Sequence, residues 1–244
     1  MKEKDQLLYY VLKYQGEYYK VKHAIEQNEP WFKVSYDDLY VTILDDYYPM
    51  KLRQLEQPPY IIFYRGNLSL MDREGVGVIG SRMPTTYGIQ VTKDVVSVLK
   101  KKYVIVSGLA KGIDGCAHTK AIHNQTIGIL GCGIDQYYPR ENRQLQLCME
   151  KEQLVISEYP RSAKPYAYHF PWRNRLIAAL SKAIVVVEAG MKSGTMLTVN
   201  EALKYDIPVY CIPHSIYNQH GIGNNHLISQ GAQIVTDMQD IEMI

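Results

Sequence analysis

Four glycine-rich turns hold the residues with chemistry to offer. "GSRMPTTYG" supplies Gly80, Ser81 and Arg82, and "SGLAKGIDGCAH" supplies Ser107, Gly108, Lys111, Gly112 and Asp114. "GCGIDQYYPREN" and the residue after it supply Gly131, Gly133, Arg140 and Arg143, while "EAGMKSGTMLT" supplies Lys192, Ser193, Gly194 and Thr195. Each sets glycine beside a hydroxyl or a cation. Where such a turn opens a helix, backbone N–H groups, a hydroxyl and a positive side chain can converge on one anion. A fifth stretch, "SEYPRSAKPYAYHFPWRNRLIAALS", interleaves Tyr159, Tyr166, Tyr168, His169, Phe170 and Trp172 with Arg161, Lys164, Arg173 and Arg175. Cations that follow a phosphate backbone, and rings on which bases stack, are what a single-stranded nucleic-acid site requires; each stacked base contributes about 1–3 kcal/mol.

The elements that must position these residues are legible as short apolar runs. Strand candidates are 60–64, 76–80, 104–108, 127–131, 154–157, 184–188, 208–212 and 233–236, with helix-length segments at 86–102, 113–123, 170–182 and 195–205. Continuous apolar strands alternating with helices predict an α/β fold, a parallel-rich sheet with helices on both faces. Such a sheet binds ligands outside the carboxyl ends of its strands. The glycine turns follow strands, so they are expected to meet along one edge as a mildly basic groove. Residues 1–55 read as an abbreviated helical segment, with Leu7, Leu8, Val11 and Leu12 on one face and "LEQPPY" at its end. Residues 56–244 read as the sheet domain.

Several function classes are excluded by what the residues do not spell. Gly75, Gly77 and Gly80 form a literal G-x-G-x-x-G, but they fall before and inside an apolar run, where a dinucleotide fingerprint needs them after it. The next run, "VIVSG", also lacks the acidic residue that would hold a ribose. There is no G-x-x-x-x-G-K-[ST], H-E-x-x-H or G-x-S-x-G, and the 7 histidines are scattered. The expectation is therefore a protein without cofactor, metal or catalysis, in which Asp114, Asp135, Glu158 and Glu188 cap helices or hold arginines. A net charge of +2 gives a weak field, so a polyanion must be held by local cations. The 4 cysteines form no C-x-x-C pair, and no leader or long apolar run is evident, which predicts reduced thiols in a soluble cytoplasmic protein.

Taken together and in order, "GVIGSR", "SGLAKGID", "GCGIDQYYPREN", "SEYP", "HFPWRNRLIAALS", "VVVEAGMKSGTMLT" and "GIGNNHLISQGA" resemble the DNA-processing protein A family, also called Smf. The resemblance covers residues of about 45 to 236. It implies an extended Rossmann-like fold without a dinucleotide, single-stranded DNA as ligand, a homodimer, and help in loading the RecA recombinase, as in natural transformation. It assigns DNA contacts to Ser81, Arg82, Gly108, Lys111, Gly112, Phe170, Arg173 and Arg175. Three departures stand out: Lys111 replaces the usual arginine, Ala167 stands where a cation is common, leaving Lys164 as a substitute, and the chain stops near Ile244, short of the winged-helix domain of some members. The alternative is a nucleotide-processing hydrolase of the phosphoribohydrolase type. That class uses P-G-G-x-G-T-x-x-E, and here Thr198 occupies the place of the glutamate, with Glu201 three residues further on.

Overall fold

The computed structural model describes residues 2–244. Its helices are α1 (Lys2–Lys13), α2 (Tyr18–Glu26), α3 (Met50–Arg53), α4 (Thr86–Leu99), α5 (Ile113–Ala121), α6 (Arg143–Glu152), α7 (His169–Ala179), α8 (Gly194–Lys204), α9 (Ile222–Ser229) and α10 (Met238–Glu242). The strands are β1 (Leu39–Thr42), β2 (Ile61–Gly66), β3 (Gly75–Ile79), β4 (Val104–Ser107), β5 (Thr126–Leu130), β6 (Leu154–Ser157), β7 (Ile184–Val186), β8 (Val209–Cys211) and β9 (Gln233–Ile234). All belong to one sheet, in the order β1-β2-β6-β5-β4-β3-β7-β8-β9. From β6 to β9 every neighbouring pair is parallel, and β1 and β2 add an antiparallel edge.

The chain winds outward from β3 in both directions, through β4, β5 and β6 on one side and β7, β8 and β9 on the other. Loops at the carboxyl ends of β3 and β7 therefore diverge to opposite faces and leave a crevice between them. Helices cover both faces. Val95, Val96 and Leu99 of α4 and Ile113 and Ala117 of α5 pack on Val76, Val78, Ile105 and Val185, while Leu176, Ile177 and Leu180 share the opposite core with Ile79, Val106, Ile129 and Ile156. This is an extended Rossmann-like fold.

The two glycines inside β3 are explained by that second face. A Cβ on Gly75 would lie 2.5 Å from the Leu180 carbonyl oxygen and 2.7 Å from a Val106 methyl, and one on Gly77 would overlap the Ile184 side chain. The spelling G-x-G thus records how closely the end of α7 approaches the sheet. It does not record a pyrophosphate cradle.

Residues 2–55 are built onto the sheet. Leu7, Leu8, Tyr10 and Val11 of α1 and Val21 and Ala24 of α2 share a core with Ile61, Phe63, Leu130 and Val155. Asp38 receives Arg65 of β2 at 3.3 Å and Arg161 at 2.9 Å, tying this segment to both the sheet and the aromatic loop. Strand β1 has no counterpart among the strand candidates and lies in the segment expected to be helical; it is buried only toward its carboxyl end, so it does not stand out as a continuous apolar run. Among the described residues no helix is long and apolar enough to cross a membrane.

Gly75→Ala is expected to destabilise the fold by about 1–3 kcal/mol, because the clash is with main-chain oxygen that cannot yield without moving α7. Gly194→Ala, where the added atom meets nothing within 4 Å, is expected to leave stability unchanged or slightly raised. Urea midpoints followed by circular dichroism compare the two.

Candidate nucleic-acid interface

The crevice at the switch point opens into a cavity of about 530 Å³. Its lining includes Gly80, Ser81 and Arg82 after β3, Ala110 and Asp114 after β4, Tyr138 after β5, Ser193, Gly194 and Thr195 after β7, Phe170, Arg173, Asn174 and Ile177 of α7, and Thr198 of α8. A smaller cavity of about 60 Å³ lies alongside and brings Lys111 to Arg82, Tyr138 and Phe170. At the shared rim the Arg82 guanidinium sits 5.7 Å from the Phe170 ring centroid, and Tyr138 lies against the same ring at 5.4 Å. Arg82 is exposed and has no ion pair among the described residues. An available cation beside two rings is the outstanding feature of the edge.

The loops around it are held by acids from below. Glu188 is fully buried and receives the Thr85 backbone N–H at 2.9 Å and the Thr85 hydroxyl at 2.5 Å, while Thr85 in turn caps α4 by accepting from the Gly88 N–H at 3.1 Å. Asp114 accepts from the backbone N–H groups of Gly108 at 3.1 Å and Ala110 at 3.4 Å. Burial pushes its carboxyl above the ordinary range, and the nearby Arg173 charge pulls it back. Gly112 has a φ of 75°, and a Cβ there would overlap the Ser81 carbonyl oxygen, which accepts from the Ile113 N–H at 3.1 Å. The first and second glycine loops are therefore clipped together.

These bonds correct the expectation that strand-end amides face a ligand. The N–H groups of Ser81, Met83, Thr85, Gly108 and Ala110 are each taken by a protein acceptor. Ser107 is likewise internal, its hydroxyl donating to the Val78 carbonyl at 2.7 Å.

The arginines of the aromatic stretch also differ from expectation. Arg173 forms part of the cavity floor, where it donates to the carbonyls of Gly108, at 2.8 Å, and Ile129, and burial lowers its pKa to about 10. Arg175 does not reach the cavity at all: it grips Glu158 with two bonds of 2.6 and 2.5 Å and lies 4.2 Å from the Trp172 ring centroid. A buried carboxylate needs a buried counter-charge, and α7 supplies one beside the end of β6. Arg140, Arg143, Lys164 and Lys192 are exposed and outside the two linings, with Arg143 5.1 Å from the Tyr137 ring. Lys111 is exposed and paired with Glu141. Tyr138 is absent from the candidates the sequence supplies, although its position beside Pro139 in a glycine-led turn marks it as a rim residue. Thr198 lines the cavity where a phosphoribohydrolase carries its glutamate, and Glu201 instead pairs with Lys204 at 2.7 Å. Among the described residues there is no cluster of three or more potential metal-binding side chains.

Fold and edge define a class: a Rossmann-like protein with an open switch-point groove, floored by internally bonded loops and rimmed by an unpaired cation and aromatic rings. A family model described as DNA recombination-mediator protein A matches residues 39–243, and the chain belongs to that family. It is 42% identical over 202 residues to DNA processing protein DprA of Streptococcus pneumoniae, spanning 82% of this chain and 72% of that one. It is 36% identical over 200 residues to protein Smf of Escherichia coli, spanning 80% of this chain and 54% of that one. The X-ray structure of DprA from Streptococcus pneumoniae superposes with a TM-score of 0.84 at 32% identity, over 97% of this chain and 94% of that one. DNA processing protein A from Helicobacter pylori, whose structure is described as giving insight into its single-stranded DNA binding mode, superposes at 0.77 with 32% identity, over 84% and 94% of the two chains.

Arg175→Ala is expected to cost about 3–5 kcal/mol in urea unfolding, since it strands the Glu158 carboxylate in the interior. Arg175→Met combined with Glu158→Gln is expected to recover most of that loss. An exposed phosphate contact would show neither behaviour.

Proposed function

We propose that the groove binds single-stranded DNA and presents it to the RecA recombinase. The observation that carries this is the Arg82–Phe170–Tyr138 cluster at the mouth of the crevice, where an exposed guanidinium meets rings able to take a base. Phosphates lie against Arg82 and, once it leaves Glu141, Lys111, with Ser81, Ser193 and Gly194 contributing polar contacts along the floor. Gly80, Gly108 and Gly112 let the loops pack closely enough to keep that floor open. Arg140, Arg143, Lys164 and Lys192 steer the backbone from the rim, and Arg173 and Arg175 act beneath it as supports. Duplex DNA fits poorly, because its bases are stacked on one another and inaccessible to the rings.

Support comes from the family's description as recombination mediators and from the Helicobacter pylori relative, whose described ligand is single-stranded DNA. The protein works as a homodimer in the cytoplasm without cofactor, positioning a strand for hand-over. Residues 56–244 serve as the DNA-binding domain and residues 1–55 as an N-terminal segment whose helices and β1 are built onto it.

Fluorescence anisotropy of a labelled oligothymidine, with a duplex control, tests the reading. Wild type is expected to bind the single strand preferentially and with steep salt dependence. Arg82→Ala should weaken binding and make the logarithmic salt slope shallower by about 0.7 for each phosphate that the protein no longer neutralises. Phe170→Ala should weaken binding by about ten-fold or more with the salt slope unchanged. Equal affinity for duplex, or an unchanged slope in Arg82→Ala, would overturn the assignment.

A further inference from the structure

The turn that leads into α7, closed by the His169 N–H on the Tyr166 carbonyl at 3.0 Å, divides its residues between the groove and its outside. Pro165 and Ala167 line the groove, and Tyr166 and Tyr168 alternate with them outside it. Those two rings lie parallel, with planes 5° apart and centroids separated by 5.7 Å, yet they are 49% and 57% exposed. Neither is left to move freely. Both meet the edge of His169, at 5.4 and 4.6 Å, and His169 is itself buried in a stack on Tyr159 at 3.8 Å. The Tyr168 hydroxyl donates to Glu17 at 2.8 Å, which fixes the outer ring against the N-terminal segment.

The aromatic surface continues past that hydrogen bond. One helical turn beyond Tyr168, Trp172 meets Tyr18 at 5.6 Å and Tyr19 at 5.8 Å, and Tyr19 is 63% exposed. Holding two half-exposed parallel rings in place sacrifices apolar burial and side-chain freedom, which the contacts with His169 and Glu17 offset only in part. Lys164 and Lys20, close in sequence to Tyr166 and Tyr19, are exposed, and Glu17 is held at Tyr168. That carboxylate repels phosphate from the middle of the surface, so a strand crossing there must touch it with bases and turn its backbone outward.

We infer that Tyr166 and Tyr168, continued by Trp172 and Tyr19, form a second base-stacking platform that takes a single strand out of the groove over Ala167 and onto the N-terminal segment. The inference rests on the groove's being a single-strand DNA site, and adds its direction and extent. Base identity is not read on the platform, because every base presents a stacking face.

The test is a length series. Oligothymidines of about 6 and about 15 nucleotides are titrated against wild type, Tyr166→Ala combined with Tyr168→Ala, and Tyr166→Phe combined with Tyr168→Phe; these lengths fall within the roughly 4–16 nucleotides of known single-strand sites. Wild type is expected to bind the longer strand roughly ten-fold or more tighter. The alanine pair should lose that increment while keeping wild-type affinity for the short strand, and the phenylalanine pair should retain it. In a Trp31→Phe background, where Trp172 is the remaining indole of 2, the longer strand alone should quench indole fluorescence. If the increment survives in the alanine pair, or disappears equally in the phenylalanine pair, the platform is overturned and the groove stands. Failure of wild type to bind either strand would overturn the groove reading and the platform with it.

Discussion

The buried guanidinium of Arg173 holds the edge of this protein together. It bridges carbonyls at the carboxyl ends of two neighbouring strands, beneath a loop that passes so close that a Cβ on Gly108 would lie 2.5 Å from it. A cation in that position is almost fully buried, and the Asp114 charge supports it there. Asp114 gathers the second loop, Glu188 gathers the first, and the Gly112 turn joins them. A groove made of four glycine-rich loops would otherwise have many conformations. The cross-links restrain the loops after β3, β4 and β5.

This arrangement divides the charges by place. Cations under the floor are satisfied by carbonyls and carboxylates and contribute to stability, as the Arg175–Glu158 pair does. Cations on the rim are solvated and accessible, and Arg82 is placed directly over an aromatic ring at the cavity mouth. A chain with a net charge of only +2 can in this way present a locally positive edge. The four strand-end acids, Asp114, Asp135, Glu158 and Glu188, all serve protein partners: two hold loop amides or hydroxyls, one receives the Ser162 N–H and one holds Arg175. Their presence near the groove is architecture.

The N-terminal segment enters the same system through Asp38 and Glu17. Asp38 anchors Arg161 at the start of the aromatic loop, and Glu17 anchors Tyr168 at its end. The loop is thus clamped at both ends by residues from outside the parallel sheet. Its rings, as a result, have defined positions despite sitting in a segment without regular structure.

Strands β2 to β9 and helices α4, α5, α7 and α8 were readable because buried parallel strands are continuous apolar runs and these helices are long enough to show their period, whereas β1, α6, α9 and α10 had no counterpart among the candidates. The misplaced G-x-G-x-x-G could also be rejected from sequence, since glycines inside a strand cannot open a helix. The sequence equally determined that cations, hydroxyls and rings cluster at strand ends. It could not decide which of them face out. Arg82, Arg173 and Arg175 are the same residue type in similar glycine- or aromatic-rich settings, and only the tertiary structure makes the first a rim residue, the second a floor bracket and the third half of an internal ion pair. Two of its consequences lie beyond any local pattern: β3 and β7, far apart in the chain, come together at the switch point, and the Thr85 amide beside them finds its acceptor more than a hundred residues away. Burial and hydrogen-bond satisfaction depend on everything that packs against a residue, and that is settled only when the whole sheet has formed.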